Sequence, residues 1–218
     1  MILVVGEALI DLVIATDGTV SAALGGAPFN TARACSRWGG YVAFVGALSR
    51  DRFGELLAAQ LVADGVDITH APRVELPTTL AAAELDDAGA ATYRFYVEGT
   101  SAPALAGVPA VEADVLFTGG LGLVVEPMAT TIESAVASRS APTSLLVDVN
   151  CRPRLIADRA QYVQRVRPLL AGASVVKLST DDLAYLEPGL APLAAARRIV
   201  ADGAGAVRLA DGPGELHG

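Results

Sequence analysis

Residues 24–30 read LGGAPFN, two glycines standing directly ahead of a proline and an amide. Pro28 suits the first turn of a helix, where no backbone donor is lost. Gly25 and Gly26 lack a Cβ, so the main chain there can come close to a ligand. Asn30 offers both a donor and an acceptor, which is what a polyhydroxylated molecule needs. The same spacing also fits a tight strand-to-helix turn with a solvated amide. It is not Gly-x-Gly-x-x-Gly, so the fingerprint that a Rossmann dehydrogenase requires is missing.

Other polar groups cluster at strand ends. VDVNCRP (147–153) and VVKLSTDDL (175–183) each follow a β-branched run. Asp51 in SRDRFG stands where it would cap the helix that follows. His70 and His217 pair with no carboxylate and nucleophile in a workable spacing, so both read as surface residues. Cys35 and Cys151 are the only cysteines and form no ligand motif. That usage predicts reduced thiols in a cytoplasmic protein rather than a disulfide framework or a zinc site.

The elements that must position these groups alternate. Strands are predicted at Ile2–Val5, Val42–Val45, Asp114–Thr118, Leu145–Val149 and Val175–Leu178. They are nearly continuous apolar runs, as in a parallel sheet covered on both faces. Helices are predicted at Phe29–Trp38, Phe53–Ala63, Pro127–Ala137, Arg159–Leu170 and Leu193–Ala201. Short links between them indicate one doubly wound α/β domain. One stretch breaks the rhythm. Thr78–Leu85 and Ala91–Val97 flank the turn-forming DDAGA (86–90) and read as a hairpin. Asp11–Ala15 and Thr19–Ala22 would supply further strands beside it. The result is a small antiparallel flap (lid segments about 11–22 and 78–97) of a kind that covers a ligand. After Ala201 the pattern breaks, with Val207–Ala210 left as one more strand that nothing packs against.

Composition narrows the function. The 218 residues carry a net charge of −8 and are 52% apolar. An acidic chain is a poor partner for nucleic acid or an anionic membrane. Glu7 and Asp11 interrupt the N-terminal apolar run, which is therefore neither a signal peptide nor a membrane span.

Taken in order, GEALIDL (6–12), GGAPFN (25–30), FVGALSRDRFG (44–54), DVNCRP (148–153) and KLSTDDL (177–183) resemble the PfkB, or ribokinase-like, family of carbohydrate kinases. The flap ending YRFYVEGTSAPAL and the sequence TGGLGL (118–123) are most similar to the bacterial fructokinase branch. The resemblance runs from Met1 to about residue 200. It implies a mostly parallel ribokinase-like sheet with a lid, and ATP- and Mg²⁺-dependent phosphorylation of a small sugar at a primary hydroxyl. By the same resemblance Asp11 accepts sugar hydroxyls, Gly25, Gly26 and Asn30 form the sugar-binding turn, and Tyr96 closes over the sugar. Asn150 and Arg152 lie near sugar and phosphate, where an Arg would offset migrating negative charge. Lys177, Ser179 and Asp182 fall on the family's Asn-x-x-Glu element, which organises phosphate and hydrated Mg²⁺. Here Ser replaces Asn and Asp replaces Glu, so Asp182 is expected to act on the metal through water.

The family's catalytic aspartate stands in a Gly-Ala-Gly-Asp turn, and no such turn occurs in this sequence. Gly203–Ala206 reads GAGA, with Ala206 where the acid should be. A general base is worth about 10²–10⁴ in rate, and a lost oxyanion-type donor about 10²–10³. The expectation is a C-terminally truncated chain, ended by a frameshift or early stop near residue 202, that is inactive and poorly soluble. The rival reading is a non-catalytic sugar-binding or regulatory protein on the same fold. Pairing of flaps between two copies would make a homodimer.

Overall fold

The computed structural model describes residues 1–85, 91–211 and 215–216. In chain order the first half forms β1 (Ile2–Val5), β2 (Leu9–Ile14), β3 (Val20–Gly25), α1 (Ala27–Arg37), β4 (Val42–Val45), β5 (Leu48–Ser49), α2 (Arg52–Ala63), β6 (Arg73–Val74), β7 (Leu80–Leu85) and β8 (Ala91–Tyr96). The second half forms β9 (Val115–Gly119), α3 (Met128–Ser138), β10 (Ser144–Asp148), α4 (Arg159–Ala171), β11 (Val175–Ser179), α5 (Thr180–Leu186), α6 (Pro192–Ala201), β12 (Val207–Asp211) and β13 (Glu215–Leu216).

The main sheet runs β4-β1-β9-β10-β11-β12 with every pair parallel, and β13 adds antiparallel at the β12 edge. Alternation along the strands divides its apolar side chains between two cores. Val4, Val42 and Phe44 face Phe29, Ala32, Leu57 and Leu61 of α1 and α2. Leu3, Val5, Leu145, Val147 and Val176 face the apolar sides of α3 to α6. This is the doubly wound α/β fold that the alternating pattern predicts. Covering is uneven. Leu146 and Val175, on the α1–α2 side but farther along the sheet, are only partly buried.

Helix boundaries have local causes. Pro28 sits in the first turn of α1, and Asp51 caps α2 by accepting from Gly54 N at 2.8 Å. The same Asp51 accepts from Thr78 N at 2.7 Å and Thr78 Oγ1 at 2.6 Å, which ties α2 to the start of the flap.

The flap is a four-stranded sheet ordered β3-β2-β7-β8, with two antiparallel hairpins joined by a parallel β2–β7 pair. The DDAGA turn lies outside the described residues. Beyond Ala201 the sequence pattern predicts only an unsupported strand. Instead β12 extends the sheet in register with β11, from Val176↔Val207 to Ser179↔Ala210. The strand is stabilised by ladder hydrogen bonds and by α6, which the short alanine-rich sequence understates. His70 is exposed, Cys35 and Cys151 are free thiols, and His217 lies outside the described residues.

Candidate active site

β2 leaves the main sheet directly after β1 and climbs into the flap, so its start overhangs the C-terminal ends of the parallel strands. Ligands of open α/β sheets gather at those ends. A cleft of about 430 Å³ opens there. Its walls bring together Asp11 of β2, Gly26 and Asn30 at the start of α1, and Asn150 and Arg152 after β10. These residues are up to 141 positions apart in the chain (Asp11 to Arg152), and they meet in one place.

Asp11 is half-buried, and that burial raises its pKa, while the positive charge of Arg152 works in the opposite direction. Gly25 does not line the cleft. It faces Leu9 across the β2–β3 ladder, and a Cβ there would overlap Asp11 Oδ2 and stand 2.9 Å from its Cγ. Gly25 therefore makes room for the acid. Gly26 has φ +106, the left-handed side that favours glycine, and a Cβ there would meet the carbonyl oxygen of Glu7 at 2.7 Å.

Asn150 sits at φ 38, a left-handed conformation that asparagine tolerates better than most residues. It turns the chain sharply out of β10. Among the described residues the Arg152 side chain makes one hydrogen bond, Nη1 to the Cys151 carbonyl at 3.1 Å. Among the described residues no carboxylate reaches ion-pair distance of it, yet its charge opposes the rise in pKa that burial gives Glu7, Asp11 and Asp148. It is a cation held amid acids and bound tightly to none, as a group meant for a ligand would be.

Tyr93 and Phe95 line the cleft, and Tyr96 does not. Side chains alternate along a strand, so residues 93 and 95 share the inner face and 96 points outward. The small residue Ala83, opposite Tyr93 in the ladder, also lines the cleft and leaves it open. Arg154 Nη1 donates to the Tyr93 carbonyl at 2.8 Å and joins the flap to the loop that carries Arg152.

The element around residues 177–182 has structural contacts of its own. Ser179 and Asp182 form a capping box on α5: Asp182 N donates to Ser179 Oγ at 3.1 Å, and Ser179 N donates to Asp182 Oδ2 at 2.7 Å. Asp182 Oδ1 accepts from Cys151 N at 2.7 Å. The Asp182 carboxyl is buried with both oxygens bound to main chain, so it holds the Asn150–Arg152 loop in place. Lys177 Nζ is bound by both Asp148 oxygens, at 3.1 and 2.9 Å. Burial raises the pKa of Asp148, and the Lys177 ammonium opposes the rise. Neither Lys177 nor Ser179 lines the cleft. Among the described residues no three His, Cys, Asp or Glu side chains gather as a metal site would require.

Glu7 was not anticipated as a site residue. It lines the cleft beside Gly120 and Leu121 and is 2% exposed. The signal was present in GEALID, since an acid next to a buried strand is costly unless it has a task.

The pfkB family carbohydrate kinase model matches residues 1–196. The chain belongs to the pfkB carbohydrate kinase family. Among its pfkB relatives, a fructokinase of Rhizobium leguminosarum bv. trifolii is 34% identical over 192 residues, covering 84% of this chain and 58% of the relative. A fructokinase of Salmonella typhimurium is 32% identical over 193 residues, covering 84% and 61%. The chain thus spans about three fifths of the length of the curated relatives it matches. A solved pfkB structure, the fructokinase of Xylella fastidiosa, superposes with a TM-score of 0.82 at 26% identity, over 99% of this chain and 74% of that one. It has also been solved with bound ATP. The ribokinase-like fold expected from the sequence is therefore the fold observed.

Proposed function

We propose that the cleft holds a small sugar, such as fructose, as the acceptor in an ATP-dependent phosphoryl transfer. The supporting observation is the meeting of Asp11, Asn30, Asn150 and Arg152 beneath the flap. Asp11 accepts hydrogen bonds from sugar hydroxyls, Asn30 gives one and takes one, and Tyr93 and Phe95 cover the apolar face of the ring. Arg152 and Asn150 fit the transferring phosphoryl of ATP, because an unpaired guanidinium matches its charge and planar oxygens. ATP supplies that phosphoryl when bound. Asp182 accepts from two main-chain donors, and no three His, Cys, Asp or Glu side chains gather among the described residues. We therefore assign no step to a metal held by this chain.

The 218 residues contain no Gly-Ala-Gly-Asp turn, and among the described residues no acid other than Glu7 and Asp11 lines the cleft. Our reading is that they bind sugar with little or no turnover on their own. The rival, a non-catalytic sugar-binding protein, draws support from Lys177, Ser179 and Asp182, which bind each other's neighbourhood instead of facing the cleft. Calorimetric titration with fructose, run beside an ATP-turnover assay, tests the site and its turnover. Binding that Asp11→Ala and Arg152→Ala each weaken about tenfold or more supports the site. No binding to any hexose or pentose would remove it. Turnover by this chain would remove the rival and also our reading that it turns over little or not at all.

Two further proposals follow from the same reading. β3 and β8 are the outer strands of the flap, and an uncovered edge favours pairing with a second copy. Size-exclusion chromatography showing a monomer at high concentration would contradict that homodimer. The free thiols fit a cytoplasmic protein, and no helix among the described residues is long and apolar enough to cross a membrane.

A further inference from the structure

One apolar row crosses five strands of the main sheet. Phe44, Val4, Phe117, Leu146 and Val175 stand side by side on β4, β1, β9, β10 and β11, each in register with the next. Phe44 and Val4 are buried under α1 and α2, and Phe117 packs against the same core. Leu146 and Val175 are only partly buried and belong to neither core among the described residues. On the other side of the same two strands Leu145, Val147, Val176 and Leu178 are all buried beneath the later helices. Parallel strands are apolar on both faces because helices cover both. β10 and β11 have that composition, but among the described residues the core under α1 and α2 takes in no side chain from either.

The bare face has a wall. Arg33 and Ser36 of α1 turn toward α2, Arg33 through its bond to Asp64 and Ser36 beside Gly65. Thr31, Cys35 and Trp38, each about one helical turn after the last, lie on the opposite flank. That is the side on which α1 reaches β9. Trp38 is 90% exposed and is the only tryptophan in the chain. A bare indole beside a half-covered apolar face marks a surface made for a partner. Toward the C-terminal ends of the strands the face becomes charged, with Asp148, Lys177 and Arg208 in register on β10, β11 and β12.

Dimensions and the solved relatives identify the occupant. From β9 to β12 the face is about 14 Å wide, room for one or two helices of about 10 Å each. The Xylella fastidiosa fructokinase superposes on 99% of this chain and keeps about a quarter of its own length outside the shared part. We propose that the bare face of β10 to β12 docks the part of a pfkB kinase that has no counterpart in this chain, supplied by a second polypeptide. It docks as one or two amphipathic helices, with an apolar stripe on Leu146, Val175 and Trp38 and an acid toward Lys177 and Arg208. The proposal does not depend on which sugar, if any, enters the cleft.

The test mixes the full 218-residue chain with that remaining quarter of the Xylella fastidiosa fructokinase, made as a separate polypeptide. Calorimetry measures affinity, and fluorine NMR of the chain labelled with 5-fluorotryptophan reports on Trp38 alone. One-to-one binding at micromolar affinity or tighter is expected, with a shift of the single fluorine resonance. Leu146→Asp and Trp38→Ala should each weaken binding about tenfold or more. Leu193→Ala, which removes an exposed side chain of α6 on the other side of the sheet, should leave it unchanged. Should Leu146→Asp not fold, Trp38→Ala decides, because so exposed a ring contributes little to the fold. Absence of binding, or binding that both variants leave intact, would overturn the proposal. So would self-association of the native chain that Trp38→Ala abolishes, since a second copy would then be the occupant.

Discussion

Gly25 exists for Asp11. The two residues lie on adjacent strands of the flap, and the space a Gly25 side chain would fill is taken by the Asp11 carboxyl, whose Cγ would stand 2.9 Å from an added Cβ. Leu9 Cδ1, at 3.4 Å, is in near-ordinary contact. The obstructed atoms thus belong to the flexible end of a side chain. The glycine is a requirement of the site more than of the fold.

Gly25→Ala should accordingly displace the Asp11 carboxyl and weaken fructose binding about tenfold or more, a loss of one charged hydrogen-bond set. The melting temperature should move by only a few degrees, since shifting the movable end of a half-buried side chain costs about 1 kcal/mol or less. Calorimetry beside a thermal melt reads both quantities. Full affinity in the variant would mean that Asp11 does not touch the sugar.

The two faces of β8 make a second, sharper comparison. Phe95→Ala removes an aromatic ring from the inner face and should lower sugar affinity severalfold, an aromatic contact being worth about 0.5–1.5 kcal/mol. Tyr96→Ala, on the outer face, should leave affinity unchanged. The opposite pattern would show that the strand register differs from Ala81↔Phe95 and Leu80↔Tyr96 in the bound state.

Glu7 gives the protein a specific pH profile. Its folded pKa of about 7 lies above the ordinary 4.5, so between those values the native state holds more protons than the unfolded chain. Stability therefore falls as pH rises from about 5 to about 7 and levels off above, by about 3 kcal/mol in total. Glu7→Gln should flatten that slope in urea titrations taken at several pH values. An unaltered slope would place the titration on another group.

Asp182 is predicted to matter for stability and, through it, for the loop bearing Arg152. Asp182→Ala deletes the α5 cap and leaves Cys151 N buried without an acceptor, costing about 2–4 kcal/mol. Asp182→Asn, which keeps one acceptor, should recover part of the loss. Added Mg²⁺ should leave the melting temperature of the native chain unchanged. A clear Mg²⁺-dependent rise that Asp182→Asn abolishes would restore the metal role.

Much of this protein was legible in one dimension. Uninterrupted apolar runs such as Val42–Val45 could only be strands buried on both sides, and the proline and glycine punctuation of residues 24–30 marked the start of α1, because such signals act through local backbone sterics. Asp51 was readable as a cap for the same reason. What folding alone decided is which side chains meet. The parity of β8 turned Tyr93 and Phe95 inward and Tyr96 outward. The donor Cys151 N, 31 residues away, drew Asp182 into the frame of a loop, and the return of β9 beside β1 set Gly120 against Glu7. These are non-local outcomes: a pairing register or a buried carboxyl takes its meaning from atoms distant in the chain, and residue type and spacing carry no record of that distance.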